Sequence, residues 1–142
     1  MAQIFKRPFQ IRFREADPAR IMYFANLFSI AHDTFEDFIQ EHGYEWKEWF
    51  TDQNPTMVPI RHAEADYLAP FIPGEHYEVK VTVSQIRETS LQMKYTFIQG
   101  LRIHAVVKMV HAFLDPKTKQ KTAVPERVKK VFSPYLENEP QA

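Results

Sequence analysis

One carboxylate stands out for its position. Asp17, in the segment Arg14-Glu15-Ala16-Asp17-Pro18-Ala19-Arg20, lies just ahead of the first strongly apolar helical pattern. A helix start collects unpaired backbone N–H groups and a partial positive charge. A carboxylate beside it can attack a carbonyl or activate a water, while the N–H of Phe24, with that of Ala25, takes the negative charge that develops on oxygen. Asp-Pro is also a common turn start and Asp a good helix cap, so the residues alone leave a structural role open. Other chemistry is thinner. There is no cysteine, which excludes thiolate nucleophiles, disulfides and thiolate metal sites. His32 with Asp33 and Glu36 makes no recognised metal spacing, and His42, His62, His76, His104 and His111 are scattered, so no metal site is expected.

The 142 residues carry eighteen Lys plus Arg against eighteen Asp plus Glu, with 44% hydrophobic and 14% aromatic content. That is enough apolar material for one compact core, and a single domain spanning 1–142 is expected. Zero formal charge removes the long-range positive field of a nucleic-acid or anionic-membrane binder. The first residues alternate charge with Phe and Ile, without a continuous apolar run. Neither a signal peptide nor a membrane span is expected, and the reading is a cytoplasmic protein.

The elements that must position Asp17 follow from the apolar period. Phe5, Phe9, Ile11 and Phe13 alternate with polar residues, which predicts a strand, and Pro8 places it at a sheet edge. Phe24, Leu27, Phe28, Ala31, Phe35, Phe38 and Ile39 share one helical stripe, ended by Gly43. The segment 44–57 reads as an aromatic connection with about one helical turn. Strands are expected over 59–69, 77–87, 91–99 and 102–114, and a short helix over 125–136. In the last strand both alternate sets are apolar, which predicts a mid-sheet position with both faces covered. The result is an α+β fold, an antiparallel five-stranded sheet wrapped around one long central helix.

This order of elements, with Asp17, Pro18, Ala19, Ile21, Tyr23 and Asn26, resembles the hotdog-fold acyl-CoA thioesterases of the 4-hydroxybenzoyl-CoA thioesterase family. The likeness extends through Tyr67-Leu68-Ala69-Pro70, Pro73-Gly74-Glu75, Val110–Asp115 and Val124-Pro125-Glu126. One position departs from it: Arg20 stands where the family has glycine, which bears on the shape of the loop and the room for an acyl group.

The resemblance implies hydrolysis of an acyl-CoA thioester. Asp17 would be nucleophile or general base and the Phe24 amide the oxyanion donor, with no cofactor beyond the coenzyme A carried by the substrate. Tyr23 would wall the pocket, and Asn26 would either order the Asp17 loop or only satisfy backbone near the helix start. Trp46, Val58, Pro59 and Ile60 would line the acyl site, the pantetheine arm would lie near Thr89 and Ser90, and Arg87 would meet the phosphates. Glu88 and Thr89 leave that basic clamp thin, which admits an acyl-carrier protein as the alternative donor. A homodimer or homotetramer is implied, with sites built at the subunit boundary. Two other readings remain: a non-hydrolytic module of the same fold that binds acyl-CoA or acyl-carrier protein, and a dehydratase, for which His62 or His76 with Glu36 are the only candidates.

Overall fold

A computed structural model of the chain describes residues 2–50 and 55–137. Its strands are β1 (Phe5–Gln10), β2 (Ile60–Tyr67), β3 (His76–Ile86), β4 (Ser90–Gln99) and β5 (Arg102–Ala112), and its helices α1 (Asn26–Glu41), α2 (Trp46–Phe50) and α3 (Glu126–Phe132). All five strands pair antiparallel in one sheet of order β1-β3-β4-β5-β2. The two edges are therefore β1, which carries Pro8 as expected, and β2.

The sheet curls around α1. Leu27, Ile30, Ala31, Thr34, Phe35, Phe38 and Ile39 are buried against Val79, Val81, Met93, Tyr95, Phe97, Val107 and neighbouring residues of the inner sheet face. At the far end Phe132 of α3 packs on Phe38 and Phe35, with ring centroids 5.0 and 6.2 Å apart. One alternate set of β4, Leu91, Met93, Tyr95 and Phe97, is thus covered by the chain's own elements.

Three expectations need correction. β1 stops at Gln10 rather than Phe13, because Phe13–Glu15 winds into a short 3-10 turn in which the Glu15 carboxylate accepts the Arg12 N–H at 2.7 Å. Phe24 is not on the buried stripe; it precedes the helix and is exposed, while Ile30 and Thr34 take the buried positions. β5 is an interior strand, but Val106 and Val110 on its outer face are only half-buried.

Asp17 sits in a closed turn. Ala16 bridges Met22, the Asp17 N–H donates to the Ile21 carbonyl at 3.0 Å, and the Arg20 N–H to the Asp17 carbonyl at 2.9 Å. Met22 in turn donates to the Phe71 carbonyl at 2.9 Å, which docks the turn on the segment leading into β3. Arg20 has φ +67°, the left-handed conformation that glycine adopts freely and that costs an L side chain about 1–2 kcal/mol. The turn keeps a glycine's shape with an arginine in it.

The inner face also holds a polar group with no partner. His111 is 2% exposed, stacks on Phe35 with ring centroids 4.6 Å apart, and neither ring nitrogen is hydrogen-bonded among the described residues. Burial, with a smaller contribution from nearby His32, pushes its pKa down from 6.5 to about 3.

Two predictions follow from these strained positions. Arg20→Gly relieves the left-handed backbone and raises stability by about 1 kcal/mol, read from the urea midpoint; an unchanged or lower midpoint would deny the strain. For His111, the unfolded ring takes up a proton that the folded core excludes, so its contribution is complete above pH 6.5 and is lost as pH falls toward 3. Between pH 7 and pH 5 this loss is on the order of 2 kcal/mol, and His111→Leu flattens that part of the stability profile in denaturant titrations.

Candidate functional site

Helix α1 begins without a side-chain cap: Ala25 occupies the cap position. The Asn26, Leu27 and Phe28 N–H groups donate to the carbonyls of Tyr23, Phe24 and Ala25. The N–H groups of Phe24 and Ala25 have no hydrogen-bond partner among the described residues. Two amides at the positive end of a 16-residue helix are thus left for something other than the protein.

The backbone carbonyl of Glu15 ties this helix start to the Asp17 turn. It accepts the Tyr23 N–H at 2.8 Å and the Asn26 side-chain amide at 2.9 Å. The Asn26 side chain thus ties the backbone just before Asp17 to the first residue of the helix. A third tether comes from β2, where the Tyr67 hydroxyl donates to the Phe24 carbonyl; burial raises the pKa of that hydroxyl and keeps it protonated as a donor.

Asp17 itself is half-buried. Its Oδ1 accepts the Ala19 N–H at 2.8 Å, while Oδ2 has no partner among the described residues. One oxygen aims the carboxylate and the other stays available. Tyr23 and Phe24 flank the turn as an exposed aromatic pair, with ring centroids 4.9 Å apart.

The remaining candidates lie elsewhere on the protomer. Ile60 starts β2 and Tyr67 ends it, so Val58, Pro59 and Ile60 are about 23 Å along the strand from the residue that touches Phe24. Ile60 instead lines a cleft of about 390 Å³ between β2 and the flank of α1, with Phe28, Ser29, His32, Asp33, Ala63 and Met109. Val58 is half-buried against the core, and Pro59 is exposed, its carbonyl accepting the Ala112 N–H. The side chain of Trp46 lies outside the described residues.

At that same end of the sheet, Arg87 and Ser90 share a small outer-face pocket of about 60 Å³ with Arg61, Gln85, Gln92 and Val110. Thr89 is adjacent in the β3–β4 turn, where its carbonyl accepts the Phe113 N–H at 3.0 Å. Arg61 was not legible as a partner of Arg87, since it arrives only through the β2–β5–β4 pairing and the irregularity between Ile60 and His62. Two arginines thus line this pocket. His62, opposite Val110 on the outer face, pairs with Glu64 at 3.1 Å and does not meet Glu36 on the helix. Among the described residues there is no cluster of metal-ligating side chains, and no helix is long and apolar enough to cross a membrane.

The sequence pattern of the thioesterase-like superfamily matches residues 11–132. A 1,4-dihydroxy-2-naphthoyl-CoA hydrolase of Synechococcus elongatus is 31% identical over 118 residues, which cover 83% of this chain and 87% of that protein. The enzyme of the same name from Rippkaea orientalis is 31% identical over 121 residues, covering 82% and 86%. The crystal structure of a 1,4-dihydroxy-2-naphthoyl-CoA thioesterase from Synechocystis has a TM-score of 0.84 over 92% of this chain and 96% of that one, at 18% identity. With its sheet order, its enclosed helix and the Asp17 turn docked on the helix start, the chain belongs to the thioesterase-like superfamily and has the hotdog fold.

Proposed function

We propose that the chain is an acyl-CoA thioesterase that hydrolyses an aromatic acyl-CoA, taking 1,4-dihydroxy-2-naphthoyl-CoA, the substrate in the names of its relatives, as the first candidate. The observation that carries this is the pairing of a carboxylate oxygen left free on Asp17 with two unpaired amides, Phe24 and Ala25, on elements that share the Glu15 carbonyl as an anchor. The thioester carbonyl oxygen would lie on those amides. Asp17 would either add to the carbonyl carbon, expelling coenzyme A as a thiolate and leaving an anhydride for water to open, or take a proton from the attacking water. In both routes the C–S bond breaks, the oxyanion is held by the helix start, and the thiolate leaves with a proton. Coenzyme A enters only as part of the substrate, and Arg87 with Arg61 would meet its phosphates.

The proposed site needs two chains. Val58, Pro59, Ile60, Arg87 and Ser90 lie at the opposite end of β2 from Phe24, and β2 presents an unpaired edge, exposed along nearly its whole length. Antiparallel pairing of two β2 edges brings each chain's Ile60 end beside the other's Tyr67 end. A two-fold axis normal to the sheet keeps every residue on its own face, so only registers that pair residues an even number of positions apart are allowed. Centring on Glu64 would set like charges opposite one another. Centring on Ala63 sets His62 opposite Glu64 of the partner subunit, an attractive pair.

Asp17→Asn tests the chemistry. An amide oxygen can still accept the Ala19 N–H, so the turn and the melting temperature stay, while thiol release from the aryl-CoA falls by about 100-fold or more; a variant with most of its turnover would remove Asp17 from the mechanism. Ala63→Glu tests the assembly. Two carboxylates then face each other across the axis, the dimer dissociates in analytical ultracentrifugation, and thiol release falls with it. A variant that sediments as a dimer would exclude the β2 edge as the interface.

A further inference from the structure

The two open amides ahead of α1 belong to two different peptide planes, and each plane is held from its carbonyl side. A trans peptide is planar with its C=O and N–H pointing opposite ways, so a donor fixed on the carbonyl sets the direction of the N–H across the bond. The Phe24 N–H shares a plane with the Tyr23 carbonyl, which accepts the Asn26 N–H at 3.0 Å. Backbone settles that one. The Ala25 N–H shares a plane with the Phe24 carbonyl, where the backbone offers less: the Leu27 N–H stands 3.4 Å away, beyond the usual range of a hydrogen bond. A side chain makes up the difference, because the Tyr67 hydroxyl donates to this carbonyl.

Tyr67 is firmly mounted for the task. Directly after it, the Leu68 and Ala69 N–H groups both donate to the His104 carbonyl, at 2.8 and 3.1 Å. The His104 ring is buried and bonds the Pro70 carbonyl through Nδ1 at 2.9 Å, so one residue of β5 brackets the whole exit from β2. The next carbonyl, that of Phe71, accepts the Met22 N–H. Residues 22–24 are thus braced at both ends by the same stretch of chain. Although Tyr67 is 41% exposed, its hydroxyl is turned onto a peptide instead of being left to water.

We propose that Tyr67 is a positioning residue for thioester hydrolysis: its hydroxyl fixes the Phe24–Ala25 peptide so that the Ala25 N–H, beside that of Phe24, is aimed at the thioester oxygen as it gains negative charge. The proposal rests on the thioesterase reading. Tyr67 touches no reacting atom, and its effect passes through one peptide in two ways. It holds the plane against rotation. It also draws electron density toward the carbonyl, which makes the N–H of the same peptide a stronger donor, by roughly 10–30% for one added bond. Since the substrate oxygen carries full charge only as the reaction proceeds, the gain is realised in the transition state and is read in kcat, not in binding.

The test is Tyr67→Phe, which removes one oxygen and keeps the ring. With 1,4-dihydroxy-2-naphthoyl-CoA, kcat falls about tenfold while KM stays within about twofold, and the melting temperature and sedimentation match the wild type. An unchanged kcat, or a loss carried by KM alone, overturns the proposal. A role in folding alone would not move a second readout, the infrared stretch of a bound carbonyl. The probe is an aryl ketone thioether of coenzyme A, in which a methylene between carbonyl and sulfur blocks hydrolysis. Its carbonyl stretch drops on binding to the wild type and drops less on binding to Tyr67→Phe; equal shifts overturn the proposal. Should Tyr67→Phe not fold, a ring-fluorinated tyrosine placed at this position alone is a stronger donor on the same ring and raises kcat, whereas an unchanged kcat overturns the proposal. If the wild type releases no thiol from the aryl-CoA, the thioesterase reading fails separately. The hold on the peptide is then judged by NMR without substrate: Tyr67→Phe moves the Ala25 amide nitrogen resonance and leaves that of Phe24 in place, and an unmoved Ala25 resonance overturns it.

Discussion

An uncapped helix start is the constraint on which the site depends. Most helices of this length finish their first turn with a Ser, Thr, Asp or Asn side chain, a contribution of about 1 kcal/mol. Here Ala25 has nothing to offer, and the acid that could have capped α1 is spent on its own turn, where Oδ1 binds the Ala19 N–H. The buried stripe from Leu27 to Ile39 carries the helix instead, because its packing against the sheet outweighs one missing cap. Stability is thus supplied in the middle of α1, while the Phe24 and Ala25 amides at its start keep no partner among the described residues.

The same division runs through the sheet. Four of its strands bury the inner face, while β2 gives almost nothing to the core: of its residues only Ala65 is even half-buried. A strand with one free edge and two exposed faces is a liability unless something pairs with it. The anchoring of Phe24 by Tyr67 makes that strand part of the helix start as well. A partner on the β2 edge would reach those amides through a single hydroxyl contact, the one from Tyr67 to the Phe24 carbonyl.

Much of this was legible in the order of residues, because the signals were local. Gly43, with φ +89°, ends α1 where the apolar stripe stops, and Pro8 does lie on an edge strand. The α+β class followed from one strongly one-sided helix among alternating strands. What escaped depends on long-range pairing. Arg61 meets Arg87 only because β2, β5 and β4 lie side by side with an irregularity at Arg61. His111 could not be separated from the other histidines by spacing, since its isolation arises from Phe35 stacking on it and Ile60 lying opposite. Phe24 was misread for a related reason: hydrophobicity assigned it to the buried stripe, whereas the hydrogen bonds of Glu15 and Tyr67 hold it in the turn before the helix.

Arg20 shows how far backbone bonding can override residue preference. A long charged side chain where glycine is expected suggests a rebuilt loop, and with it a protein that binds without hydrolysing. The turn is instead determined by bonds that do not involve that side chain: two between Asp17 and the Arg20–Ile21 backbone, one from Ala19 to the carboxylate, the Ala16–Met22 bridge, and Met22 on Phe71. Together they hold the residue at φ +67° whatever its type. Strained conformations persist where their surroundings over-determine them, and they cluster where a group must be held in place. The strain at Arg20 is then the cost of closing the turn that carries Asp17, and the arginine side chain is left on the exposed rim of that turn.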